Sequence, residues 1–301
     1  MKDNPLVSVI VNCYNGEKFL LDCLNSLKNQ TYKNIEIIFW DNKSTDDSLK
    51  IFKKVEDIRF KYFLADNHTT LYKARNLAIK KCSGDFISFL DTDDYWMPEK
   101  IQKQMEIFMN TNSKVGLVYT NQTIFINHTN QKEKYIKIES KNDSESTKIL
   151  KRVGATILTS LIKKKELLKL NYIFDNNYNI IGDLDLFYRL SKICEFNFIK
   201  EELAVYRLHG ENYLKKNKKE EILELENWKS EYLDKSHNVT KSEKLEFSDI
   251  VHHRKVIYFI LEKKNFDAIK QIYKISNFVL KLKLILFFLM PNKMLMKLLK
   301  F

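Results

Sequence analysis

Short apolar runs alternate with stretches of helical spacing along the first two thirds of the chain. Such runs, bounded by turn residues, are typical of buried strands. They occur at residues 7–11, 35–40, 58–64 and 86–90. Between the first two, Leu20, Leu24 and Leu27 recur at helical spacing. Because a strand, a helix and a strand in succession favour a parallel crossover, the pattern predicts an α/β fold with helices flanking a sheet.

The alternation becomes less regular further along the chain. A helix is predicted around residues 101–108, with strands at 115–120 and 196–206. Residues 127–148 are polar and charged with weak periodicity. This stretch is expected to be either a mobile lid or a solvated insertion without a function of its own.

The composition changes near residue 215. From there to residue 301 the chain has no glycine and one proline, and its charged residues follow helical patterns. Two domains are therefore predicted, an α/β domain at 1–214 and a helical region at 215–301. Beyond Asp267 there are seven lysines and no acidic residue.

Four polar positions of this tail are expected to fall on one stripe of a single helix: Lys270, Lys274, Asn277 and Lys281. A basic, apolar helix of this kind suits an anionic membrane surface, which residues 268–301 are predicted to bind. The alternative is a helical hairpin packed on the core or on another subunit of a homo-oligomer.

The whole chain is basic, with a net charge of +12 at pH 7. No nucleic-acid partner is expected, because the lysines concentrate in the apolar tail without interleaved aromatic residues. Four cysteines without paired spacing predict neither a zinc site nor disulfides. The apolar stretch at residues 6–11 is too short for a signal peptide. The expected location is the cytoplasm, peripherally on the inner face of the cell membrane.

Acidic residues follow two of the predicted strands. Asp41 follows residues 35–40, and Asp91, Asp93 and Asp94 follow residues 86–90. Ligands of open α/β sheets bind at the carboxyl ends of the strands, so these acids are expected at a functional edge. Carboxylates this close repel one another, so a site that keeps them ionised is expected to supply a divalent metal, basic groups or abundant water. The alternative is that they cap the helix that opens near Pro98.

Two further positions have both a functional and a structural interpretation. Asp183 precedes the helical pattern of Leu186 and Leu190, where it could act as a general base or as an N-cap. His209 could be a metal ligand or an imidazole without a ligand.

Four separated segments resemble motifs of the family 2 glycosyltransferases, which have the GT-A fold. They are residues 7–17 (VSVIVNCYNGE), residues 29–46 (NQTYKNIEIIFWDNKSTD), the DxD-like residues 91–93 and residues 182–185 (GDLD). The resemblance covers about residues 7–213. It implies a Rossmann-like, nucleotide-binding mixed sheet flanked by helices, followed by a C-terminal helical region.

The resemblance also implies roles for individual residues. A nucleotide-sugar site is implied at Tyr14, Asn15, Asp41, Arg75, Asp91 and Thr92. Within it, Asp41 would recognise the base, Arg75 would hold the diphosphate and Asp91 would approach the ribose. Metal ligands are implied at Asp93, Asp94 and His209, and the general base at Asp183.

The implied activity is an inverting transfer, dependent on Mn²⁺ or Mg²⁺, from a nucleotide-diphosphate sugar, with a UDP-sugar as the expected donor. The implied acceptor is a hydroxyl of a cell-surface glycan or lipid-linked oligosaccharide. Two departures stand out. The family often has Asp-Asp-Gly where this chain has Asp41-Asn42-Lys43, and Glu where it has Gly182. They permit the alternative of a catalytically degenerate nucleotide-sugar-binding or scaffold protein.

Overall fold

The computed structural model describes residues 4–111, 114–127, 129–135, 143–151, 153–236 and 239–290. The chain forms two compact units that meet in sequence between Asn212 and Tyr213. The first unit is built on one sheet, and the described part of the second contains helices and no strand.

Strands and helices alternate through the first half of the first unit. They are β1 (Val7–Cys13), α1 (Glu17–Lys28), β2 (Ile35–Asp41), α2 (Ser48–Lys53), β3 (Phe60–Leu64), α3 (Leu71–Ile79), β4 (Phe86–Phe89), β5 (Tyr95–Trp96) and α4 (Lys100–Asn110). The second half adds β6 (Val115–Ile126), β7 (Gln131–Tyr135), α5 (Glu145–Leu150), β8 (Ser160–Lys163), α6 (Lys164–Leu167), α7 (Gly182–Ser191) and β9 (Glu195–Leu208).

The sheet is mixed, in the order β3-β2-β1-β4-β8-β6-β9-β5, with β7 paired to β6. β1, β2, β3 and β4 run parallel, whereas β8 is antiparallel to both β4 and β6. In the register of β1 with its neighbours, Cys13 pairs with Asp41 and Ile10 pairs with Phe89. The acids that follow β2 and β4 therefore lie at the same edge of the sheet. The predicted α/β fold is confirmed.

The position of the central strands in the core explains why their sequences are continuous apolar runs. Residues 7–10 of β1 and all of β2 are buried because helices cover the sheet. Helix α1 packs its buried residues Leu20, Leu24 and Leu27 into the same core. These contacts leave the polar loops at the strand ends as the open edge of the unit.

One sequence-based expectation for this unit is wrong in part. Residues 127–148 were expected as one loop, but β7 pairs antiparallel with β6, and α5 begins at Glu145. Residue 128 and residues 136–142 of that stretch lie outside the described residues. The N-cap of α2 is Asp47, without a side-chain bond.

The second unit contains α8 (Tyr213–Lys216), α9 (Lys218–Trp228), a π-helix (Lys229–Leu233), α10 (Lys241–Leu261), α11 (Asn265–Lys274) and α12 (Phe278–Leu289). A Thr240–Glu243 capping box begins α10. A small core joins α10, α11 and α12 around Ile260, Ile272 and Leu284. Among the helices that the structure describes, none combines the length and apolarity needed to cross a bilayer.

The predicted single helix through the tail is wrong. α11 ends at Lys274, and Asn277 is the N-cap of α12, with its Oδ1 accepting from the Leu280 amide at 2.9 Å. Asp249 holds the break, because its carboxylate accepts from the amides of Ser276 and Asn277. Two short helices therefore replace one long helix over this stretch.

Candidate active site

The acidic loop between β4 and β5 is held by basic groups from two other elements. Arg75 on α3 is 2% exposed, and its Nη2 donates to Asp91 Oδ1 at 2.6 Å. Its guanidinium also lies beside the rings of Tyr72, Phe89 and Phe174. Packed in this way, Arg75 orients the Asp91 carboxylate and brings a buried positive charge to the edge of the sheet.

Arg207 on β9 fastens the next part of the loop. Its amide donates to Asp94 Oδ1 at 2.8 Å, and its Nε donates to the Asp93 carbonyl at 2.9 Å. Its Nη2 donates to Asp22 Oδ2 at 2.7 Å. The sequence interpretation assigned no role to Arg207, although it stands two residues before His209.

Asp93 and His209 are brought together from distant parts of the chain. His209 Nε2 lies 2.9 Å from Asp93 Oδ2, which also accepts from Asn212 Nδ2 at 3.3 Å. The His209 amide donates to Asn212 Oδ1 at 2.6 Å. His209 and Asp93, which the sequence predicts as ligands of one metal ion, therefore meet through the atoms that would bind it.

Asp94, the third predicted ligand, is buried. Burial, followed by the nearby charge of Asp93, raises the pKa of Asp94 well above its usual value. Its described contact is with the β9 backbone. None of the three acids caps the helix near Pro98, because α4 begins at Lys100 with Glu99 as its N-cap, so that alternative is wrong.

The metal site implied by the sequence can be tested against these contacts. Within the described ranges, no three or more His, Cys, Asp or Glu side chains form a group that could hold a metal ion. Mg²⁺ and similar ions at nucleotide sites usually take one or two protein carboxylates and fill the shell with phosphate oxygens and water. Asp93 and His209 fit a shell of that kind, which a diphosphate would complete.

The turns after β1 and β2 form the neighbouring part of the edge. Asp41 is buried, and its carboxylate accepts from the Tyr62 hydroxyl at 2.6 Å and from the Ser44 amide at 2.7 Å. Burial, followed by the bond to Asp41, raises the pKa of Tyr62. Asn15 Oδ1 accepts from the Thr45 amide at 2.8 Å. Both sequence-predicted residues therefore shape the same pair of turns.

Thr92 and Tyr14 lie next to these turns. A Cβ added to Gly16 would come within 2.9 Å of Thr92 Oγ1, so the acidic loop packs directly on the β1 turn. The Tyr14 ring is exposed, with its centroid 4.1 Å from that of His68. The sequence interpretation missed His68, which offers an aromatic surface and a titratable nitrogen beside Tyr14.

Asn42 and Lys43 show what the departure from Asp-Asp-Gly means locally. Asn42 is buried and ties the β2 turn to the following loop, since its Nδ2 donates to the Thr69 carbonyl and its Oδ1 accepts from the Thr69 amide. Lys43 has φ of 70°, the left-handed region that favours glycine. The turn is thus glycine-like in conformation although its residue is lysine.

Asp183 lies in the first turn of α7. The N-cap of this helix is Ile181, so the interpretation of Asp183 as an N-cap is wrong. The Asp183 amide donates to the Tyr72 hydroxyl at 3.3 Å, and that hydroxyl donates to the Ile180 carbonyl at 2.9 Å. Burial lowers the pKa of Arg75, but Asp91, Tyr72 and, to a smaller extent, the charge of Asp183 raise it above its usual value. Asp183 therefore belongs to the electrostatic surroundings of the acidic loop.

The surroundings of residue 182 explain why this chain has glycine where the family often has glutamate. A Cβ at this position would meet the Tyr72 ring at 2.7 Å, so the ring occupies the space that a side chain would need. Tyr72 precedes Arg75 by one helical turn. Glycine at position 182 therefore lets α3 approach the start of the helix that presents Asp183.

Two solved structures with the same architecture contain a bound nucleotide sugar. Over 90% of this chain and 82% of the other, it superposes on Staphylococcus aureus TarS 1-349 in complex with UDP-GlcNAc, with a TM-score of 0.64 and 16% identity. The Pyrobaculum calidifontis mannosyltransferase PcManGT, in complex with GDP-Man and Mn²⁺, gives a TM-score of 0.63 at 14% identity over 91% and 74% of the two chains. These similarities show that the fold is GT-A.

Related sequences identify the family, whereas the solved structures show only the fold. The chain is 42% identical over 116 residues to the Escherichia coli UDP-Glc:alpha-D-GlcNAc-diphosphoundecaprenol beta-1,3-glucosyltransferase WfaP. That match covers 38% of this chain and 45% of WfaP, so the chain spans less than half of that relative. The family model described as glycosyl transferase family 2 matches residues 8–167, more than half of the chain. Since that match contains the turns after β1 and β2, Arg75 and the acidic loop, this chain belongs to glycosyl transferase family 2, as the sequence motifs indicated.

Proposed function

We propose that this protein transfers a sugar from a UDP-sugar to a hydroxyl of a lipid-linked or cell-surface glycan, with inversion at the anomeric carbon. The observation on which the proposal depends is the meeting of Arg75, Asp91, Asp93 and His209 at one sheet edge, within the electrostatic reach of Asp183. The complex of TarS with UDP-GlcNAc and the UDP-Glc in the name of WfaP support a UDP-sugar donor.

The donor nucleotide would lie along the turns after β1 and β2. Tyr14 and His68 offer aromatic surface to a base, and the turn around Asp41 and Asn15 supplies polar groups beside it. Asp91, oriented by Arg75, would accept from the ribose hydroxyls. The buried charge of Arg75 would favour the diphosphate that follows.

Asp93 and His209 would hold Mn²⁺ or Mg²⁺, whose charge would stabilise the leaving diphosphate. The Mn²⁺ in the PcManGT complex supports this choice of ion. Arg207 would keep the two ligands in place, because it bonds the backbone of Asp93 and stands on the strand that ends before His209. Asp94 would support the loop through its hydrogen bond with the Arg207 amide and would not bind the metal ion directly.

Asp183 would act as the general base. Its carboxylate would take the proton of the acceptor hydroxyl while the hydroxyl oxygen attacks the anomeric carbon. The bond from that carbon to the diphosphate oxygen breaks on the opposite face, which inverts the configuration. The acceptor in the name of WfaP, a GlcNAc-diphosphoundecaprenol, supports a lipid-linked acceptor for this protein.

The test separates an enzyme from a binding or scaffold protein. Isothermal titration with UDP and Mn²⁺ measures binding, and release of UDP from UDP-Glc or UDP-GlcNAc in the presence of a lipid-linked acceptor measures transfer. Asp183→Asn should keep binding and lower turnover by about 100-fold or more. Asp93→Ala should weaken binding of UDP with Mn²⁺. The control Glu99→Gln changes an exposed acid and should leave both unchanged.

Two outcomes would contradict the proposal. Full turnover by Asp183→Asn would remove the general-base assignment. Binding of UDP that is indifferent to Asp93→Ala and to Mn²⁺ would remove the metal-assisted donor site. Donor binding without transfer to any glycan acceptor would favour the scaffold alternative.

A further inference from the structure

Helix α12 is apolar on both of its sides. One side packs in the core of the second unit, with Leu284 buried and Leu280, Phe287 and Phe288 partly buried against it. The other side is exposed, and Val279 and Leu286 are 75% and 64% accessible. The exposed apolar residues of α12 are Phe278, Val279, Leu282, Ile285, Leu286 and Leu289, defined here as the outer stripe.

The outer stripe is narrow and has a lysine at each edge. Successive residues of an α-helix are rotated by about 100°, so the six residues fall within roughly 120° of the helix surface. Lys281 and Lys283 immediately flank Leu282 and lie about 100° to either side of it. Long lysine side chains at such positions can lie along apolar surface while their ammonium groups reach polar surroundings.

Helix α11 has the same organisation on a smaller scale. Phe266, Ile269 and Tyr273 recur at helical spacing and are exposed, whereas Ala268 and Ile272 are buried in the core. The ammonium of Lys270 lies 4.3 Å from the centre of the Phe266 ring. Both helices therefore present apolar residues beside lysines, although each already has a buried apolar side.

We propose that the outer stripe of α12 and the exposed apolar residues of α11 dock on the surface of an anionic lipid bilayer. Charge selects this partner, because residues 268–290 contain four lysines and no acid. At about 1.5 Å per residue α12 is about 18 Å long, shorter than the roughly 30 Å hydrocarbon core, so it lies in the interface and does not cross it. The inference does not rest on the proposed sugar transfer, although a lipid-linked acceptor would be at the same surface.

The test is flotation of the full chain with vesicles. Binding is expected to vesicles that contain phosphatidylglycerol and to be weak with pure phosphatidylcholine, since both the stripe and the lysines contribute. Leu282→Asp and Leu286→Asp should each lower the vesicle partition coefficient by about tenfold or more. Lys283→Glu should lower it by at least about fivefold.

Matched controls are available in the same unit. Leu223 on α9 and Leu245 on α10 are 51% and 49% exposed and lie outside the proposed surface. Leu223→Asp and Leu245→Asp should keep wild-type partition, and circular dichroism should show that all variants fold. The proposal would be overturned if the control variants lost as much vesicle binding as the stripe variants, or if the wild-type protein did not bind vesicles. A dimer in light scattering that Leu282→Asp dissociates, without vesicle binding, would assign the stripe to a second copy of the chain instead.

Discussion

The contact between Gly182 and Tyr72 gives a sharp prediction about the position of Asp183, the proposed general base. A Cβ on residue 182 would lie 2.7 Å from Cδ2 and Cε2 of the ring, whereas carbon atoms in contact are about 3.5–4.0 Å apart. The ring has little room to move, because Tyr72 is buried and its hydroxyl bonds both Ile180 and Asp183. Gly182→Ala therefore forces a shift of roughly 1 Å in a packed interior.

Such overpacking usually costs about 1–3 kcal/mol, and the helix propensity of alanine returns about 0.5–1 kcal/mol. We expect Gly182→Ala to lower the free energy of unfolding by about 1–2 kcal/mol, measured by urea denaturation. The turnover of UDP-Glc should fall as well, because the residue next to the altered position is Asp183. Gly210→Ala is the matched control, since a Cβ at residue 210 meets no atom within 4 Å.

A double-mutant cycle isolates the clash itself. If the ring causes the loss, Gly182→Ala should be less harmful in a Tyr72→Ala background, with a coupling energy of at least about 1 kcal/mol. An equal loss in both backgrounds would refute the steric explanation. A comparable loss in Gly210→Ala would show that glycine replacement in general, and not this contact, lowers stability.

Three further predictions each concern a single residue. Lys43→Gly should raise the free energy of unfolding by up to about 1 kcal/mol, seen as a higher urea midpoint, because residue 43 has φ of 70°; an unchanged or lower midpoint would contradict this. Burial lowers the pKa of the Lys100 amine well below 10.5, so the unfolded chain binds a proton that the folded chain lacks, and stability should rise with pH up to about 10.5. Lys100→Met should flatten this rise, measured by urea denaturation at pH values below 10.5, and an equally steep rise in the variant would contradict the explanation. His209→Ala should weaken Mn²⁺ binding in the presence of UDP by about tenfold or more in isothermal titration, whereas unchanged affinity would exclude His209 as a ligand.

The resemblance and the strand pattern together named several residues that the folded chain brings into contact. Apolar runs predicted β1, β2 and β4, and parallel strands bring their carboxyl ends to one edge, so Asp41 and Asp91 were expected at the same edge of the sheet. His209 and Asp93 were joined only by the family motif, because 115 residues separate them and no periodicity relates them. Their contact at 2.9 Å agrees with the common site that the motif implied.

Other features depend on which side chains meet, and sequence periodicity does not report this. Periodicity indicates whether a position is buried, but not which side chain it contacts. The contact of Arg207 with the acidic loop and that of His68 with Tyr14 were therefore found only in the folded chain. In the sequence, Gly182 only marks a position where the family often has glutamate. The structure shows that the Tyr72 ring occupies the space that a side chain at residue 182 would need.

The tail shows the same division. Its sequence alone established a basic, apolar and helical composition, because these properties belong to single residues and their spacing. Only the tertiary structure decided that the helix breaks at Asn277 and which apolar face of α12 is already occupied by the core. The amides of Ser276 and Asn277 bond Asp249, a residue of another helix, and long-range contacts of this kind override local helical preference.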